Sequence, residues 1–104
     1  MALFGLFGKS KLQQVISKLK ENNLEVQAML LKDGSYSSFS ELRKRLECDM
    51  LKNNYNLKKP GANESLSRFN RAKDICEEHN YSKGAKFMQN YVDIYAIYLN
   101  EYCD

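Results

Sequence analysis

Tryptophan is absent, proline and histidine occur once each, and the 104 residues hold only five glycines. So little proline and glycine argues against a turn-rich sheet protein, and the recurring Leu, Lys, Glu, Gln, Ala and Met favour helices. No stretch alternates apolar and polar residues for long enough to read as a strand. The three cysteines, Cys48, Cys76 and Cys103, lie far apart with no Cys-x-x-Cys pair. A disulfide framework is therefore not expected, and reduced thiols in a cytoplasmic setting are the simpler reading.

The shortage of histidine also bears on chemistry. Cys76-x-x-His79 puts a thiol and an imidazole one helical turn apart, but nothing supplies an orienting third group or an oxyanion pocket. No second imidazole is available for acid–base work, and there is no glycine-rich phosphate loop, EF-hand loop or HExxH. The expectation is a protein that is not an enzyme, with no cofactor and no small-molecule substrate. Cys48, Cys76, Cys103 and His79 have the composition of a structural zinc set, but zinc folds pair their ligands on tight turns, so no metal is expected either.

The opening Met1-Ala-Leu-Phe-Gly-Leu-Phe-Gly8 is apolar but only eight residues long, with no basic segment before it. It is expected to be neither a secretory signal nor a membrane span. Two uses are open to it: Leu3, Phe4, Leu6 and Phe7 folding over an end of the core, or a weak wedge into a membrane surface helped by nearby lysines. The expected division is an apolar N-terminal segment, 1–8, and a single helical domain, 9–104.

Within that domain, Leu12, Val15, Ile16, Leu19, Val26 and Leu30 fall on one stripe at helical spacing. One helix from near Ser10 to a stop at Asp33-Gly34 is predicted, the alternative being two shorter helices broken at Asn22-Asn23. A second helix starts from the capping box Ser38-Phe39-Ser40-Glu41, buries Phe39, Leu42, Leu46 and Met50, and ends near Tyr55. Residues 56–62, with Pro60 and Gly61, read as the one long linker. Asn63 is the expected N-cap of a third helix to about His79, its inner face formed by Leu66, Phe69, Ala72, Ile75 and Cys76. The short turn Asn80-Tyr81-Ser82 then makes an antiparallel hairpin with a fourth helix, about Lys83 to Tyr102. The fold class is all-α: a four-helix or five-helix bundle with a C-terminal helical hairpin.

The fourth helix is the unusual one. Ala85, Phe87, Met88, Tyr91, Val92, Ile94, Tyr95, Ala96, Tyr98, Leu99, Tyr102 and Cys103 cover an arc of roughly 200°. An outer bundle helix needs little more than half of that, so this helix is either central or has apolar surface to spare. Tyr91, Tyr95, Tyr98 and Tyr102 repeat on one face, and Phe87 extends the row by a turn. Tyrosine suits a half-wet boundary, so these five residues are the candidate partner-binding face, with the same rings roofing the core as the competing use.

Charge is uneven along the chain. Residues 1–60 carry 11 Lys and Arg against 6 Asp and Glu, and residues 61–104 carry 5 against 7, within a net charge of +3. Such polarity suits an acidic partner or head-to-tail self-association. Arg43-Lys44-Arg45, with Lys52, Lys58 and Lys59, suggests a nucleic-acid patch, but three consecutive helical residues point about 100° apart and acidic residues intervene. The leading expectation is a small non-catalytic protein-binding module, such as an immunity or antitoxin-like inhibitor or an adaptor, binding another protein or itself. Nucleic-acid binding by the basic half and peripheral membrane attachment through residues 1–8 are the alternatives.

Overall fold

The structure is a computed structural model that describes residues 10–33, 41, 44, 48 and 59–102, the last two by their backbone. It is all-α. The described residues form four helices: α1 (Lys11–Glu21), α2 (Glu25–Asp33), α3 (Lys59–Glu78) and α4 (Ser82–Tyr102). Glu41, Lys44 and Cys48 are also helical and exposed, but the rest of the predicted second helix and its capping box lie outside the described residues. So do residues 1–8.

A capping box does begin α1. The Gln13 amide donates to Ser10 Oγ at 3.2 Å, and the Ser10 amide donates to Gln13 Oε1 at 3.1 Å. Two of the first turn's free donors are thereby satisfied by one short motif. Val15 and Leu19, four residues apart, are the fully buried residues of α1, each stabilising the fold by about 1.5–3 kcal/mol relative to exposure.

The helix stops at Asn22, so the single long helix predicted to reach Asp33 is corrected to two helices. Asn23 adopts the left-handed region at φ 61°, which asparagine tolerates better than most residues. The Leu24 amide then donates to the Leu19 carbonyl at 2.9 Å and the Asn23 amide to the Lys20 carbonyl at 3.0 Å. This is a Schellman cap, and it redirects the chain into α2 after only three residues.

The joint between α3 and α4 is built the same way. Asn80 sits at φ 55°, with the Tyr81 amide donating to the Cys76 carbonyl at 2.8 Å and the Asn80 amide to the Glu77 carbonyl at 3.0 Å. Displaced by 57 positions, the two hairpins share a burial pattern: Val15 with Ala72, Leu19 with Cys76, Gln27 with Gly84, Ala28 with Ala85, and Leu31 with Met88 are all buried. Their sequences are otherwise dissimilar.

α3 begins at Lys59, earlier than the predicted Asn63, and takes in most of the expected linker. Pro60 and Gly61 fall in its first turn, where proline's missing N–H has no intrahelical acceptor to lose. Asn63 is an exposed residue inside the helix rather than its cap.

The α3–α4 hairpin is the most extensively packed pair; α1 packs against α2, and both rest on α3. Lys11 Nζ donates to the Asn80 carbonyl at 3.3 Å and Arg71 Nη2 to Asn22 Oδ1 at 3.1 Å. These contacts lay the start of α1 beside the end of α3, so the two helices run antiparallel. One core results, uniting Val15, Leu19, Leu24, Ala28 and Leu31 with Phe69, Ala72, Ile75, Cys76, Met88 and Tyr91.

Candidate functional site

The aromatic row of α4 turns largely inward. Phe87, Tyr91 and Tyr98 are buried, Tyr95 is half-buried, and the side chain of Tyr102 lies outside the described residues. Phe69 of α3 explains much of this. Its ring stacks on Tyr91 with centroids 4.5 Å apart and planes within 2°, and on Tyr95 at 5.5 Å and 24°. Phe87 meets Tyr91 edge-on at 5.2 Å and 71°. Each such aromatic contact contributes about 0.5–1.5 kcal/mol beyond area burial, so this ladder is a seam of the hairpin. Tyr98 belongs to a separate buried cluster with Ala62, flanked by Tyr95 and Leu99.

Spare apolar surface is instead found on α2. Among the described residues the large hydrophobic side chains left exposed are Val26 and Met29, at 53% and 57%. Three positions apart, they share one face of the helix. They border an open groove of about 400 Å³ lined by Lys20, Glu25, Val26, Ala28, Met29 and Lys32. Ala28, itself buried, is its floor, and the charged residues are its margins.

Sequence reasoning assigned Val26 to the inner stripe because it carried one helical phase from Leu12 to Leu30. The Schellman cap restarts that phase, which brings Gln27, Ala28 and Leu31 inside and puts Val26 and Met29 outside. The paired asparagines were the available signal.

Of the residues considered for catalysis and metal binding, Cys103 lies outside the described residues. Cys76 is buried, and burial, together with the charge of neighbouring Glu77, pushes its thiol up from 9.0 to about 11. A thiol held protonated is a poor nucleophile and ligand. No hydrogen bond joins it to His79 among the described residues, while Cys48 is an exposed free thiol. Among the described residues no three His, Cys, Asp or Glu side chains gather as a metal site would require, and no helix is long and apolar enough to cross a membrane.

One buried polar atom stands out near the groove's helix. Gln27 is 3% exposed, and its Oε1 has no hydrogen-bond partner among the described residues. Comparison with known proteins yields no matching family model, no similar curated protein and no similar solved structure.

Proposed function

We propose that this chain is a small, non-catalytic protein-binding module of the cytoplasm, of the kind that serves as an immunity or antitoxin-like inhibitor or as an adaptor, and that it binds through the outer face of α2. One observation carries the proposal: Val26 and Met29 lie together in solvent along a groove with charged margins. Water is a poor neighbour for two such side chains side by side, and an apolar centre with a polar rim is the usual anatomy of a protein contact. The buried, proton-holding thiol of Cys76 supports the non-catalytic part of the reading. Among the members of the aromatic row whose side chains are described, Tyr95 is the one that is not buried.

A photo-crosslinking side chain placed at Met29 tests this in the source cell, with the same probe at exposed Asp74 of α3 as the control. The expected result is a protein adduct from position 29 that disappears when Val26→Asp is added and is absent from position 74. Equal labelling from both positions, or an adduct removed by nuclease, would overturn the reading.

A further inference from the structure

Resting on that reading, we infer that the α2 face fits a second copy of this chain, in an antiparallel helix pair about a two-fold axis. The argument is one of self-complementarity. Glu25 and Lys32 are both exposed, and neither has an ion pair among the described residues. They are seven positions apart, two helical turns, so they lie on the same side of α2 about 10.5 Å from each other. Val26 and Met29 lie beside the line that joins them.

When two such helices meet antiparallel, Val26 packs against the second copy's Met29 and Met29 against its Val26. In that register Glu25 and the second copy's Lys32 lie on the same flank, within about 3 Å of each other along the axis, as do Lys32 and its Glu25, giving two opposite-charge pairs around two apolar layers. The same arrangement carries the second copy's Asp33 towards the end of the groove where Lys20 lies, and both of these residues are exposed. A parallel pairing about a two-fold would instead carry the Glu25 and Lys32 edges of the two copies to opposite flanks, where neither charge pair forms, so charge favours the antiparallel form.

Area sets the strength. A stable interface covers about 800 Å² on each partner, and a helix of nine residues, about 13.5 Å long, does not reach that alone. The pair is therefore weak and forms as concentration rises.

Sedimentation equilibrium at low salt, from about 10 μM to about 1 mM, tests the inference over the range in which weak pairs form. The wild-type mass is expected to climb from monomer towards dimer. Glu25→Lys alone, or Lys32→Glu alone, turns both attractive pairs repulsive and should weaken association about tenfold or more. Mixing these two variants should restore it as a one-to-one heterodimer, since every Lys then faces a Glu. Circular dichroism on each variant establishes that α2 remains folded. A wild type that stays monomeric throughout, or charge reversals that leave association unchanged or are not rescued by mixing, overturns the inference. Neither result removes a crosslink from Met29 to a different protein, so the broader binding reading stands or falls separately.

Discussion

Replacing Gly84 by alanine sets two effects of opposite sign against each other. Gly84 is in the first turn of α4, and alanine in a helix interior is favoured over glycine by about 0.8–1.0 kcal/mol. Against that, a Cβ at position 84 would lie 2.5 and 2.8 Å from Tyr81 Cδ2 and Cε2 and 2.9 Å from Cys76 Sγ. All three distances are well inside ordinary van der Waals contact. Cys76 is fully buried in the hairpin core and Tyr81 follows the αL residue of the Schellman cap, so neither can yield without disturbing the joint. Overpacking of this sort costs about 1–3 kcal/mol. The steric effect wins, and Gly84→Ala is expected to destabilise the domain by about 1 kcal/mol net, lowering Tm by roughly 4–8 °C at this chain length. Thermal unfolding followed by circular dichroism measures it. A double-mutant cycle with Tyr81→Ala should show coupling of about 1 kcal/mol or more, because removing the ring removes most of the clash. A Tm that rises in the single variant would refute the reasoning, since it would mean that Tyr81 swings aside at no cost and helix propensity decides the outcome.

Three other outcomes follow from particular contacts. Asn23→Ala should cost about 1 kcal/mol in urea unfolding while Asn23→Gly stays near neutral, because the φ of 61° suits glycine and penalises alanine; equal effects would contradict the cap. Gln27→Leu should raise the urea midpoint, with a gain of about 1 kcal/mol, since it replaces a buried oxygen that has no partner among the described residues by apolar atoms; a loss would show that Oε1 is satisfied in solution. In a Cys103→Ser background at neutral pH, a thiol reagent should modify Cys48 promptly and Cys76 only on unfolding. Because the folded state holds the Cys76 proton more tightly, this residue's contribution to stability is intact below about pH 9 and is lost as the pH climbs towards about 11. That loss should be missing from the Cys76→Ala profile.

The C-terminal hairpin was readable in the sequence because Phe69, Ala72, Ile75 and Cys76 repeat at helical spacing and Asn80-Tyr81 leaves no room for anything but a reversal. Three things were not. Pro60 reads as a stop, yet in a first turn it costs no hydrogen bond, and only the structure says on which side of it the helix lies. Asn22-Asn23 is compatible with a helix interior or with a cap, and the left-handed backbone that decides between them leaves no mark on spacing. The exposure of Val26 follows from that second point: a helix continued through the asparagines puts Val26 inside, and a joint there puts it outside. The aromatic row of α4 was correctly seen as one face, but which face its rings pack against depends on Phe69, a partner on another helix. The capping box at Ser10-Gln13 was within reach of sequence reasoning, since serine three residues before glutamine has the required pattern.

The two asparagine joints also dictate where each hairpin is most cramped. Four residues beyond the left-handed asparagine, the departing helix has made one turn and aims a side chain back at the elbow it has just left. In the first hairpin that spot belongs to Gln27 and in the second to Gly84, the former buried with an oxygen unmet among the described residues, the latter so crowded that a methyl group would have to push Tyr81 and Cys76 aside. The elbows share their hydrogen bonds but not their room. Exchange between the two positions is therefore a one-way street: glycine at 27 would leave a hollow, whereas glutamine at 84 has nowhere to go.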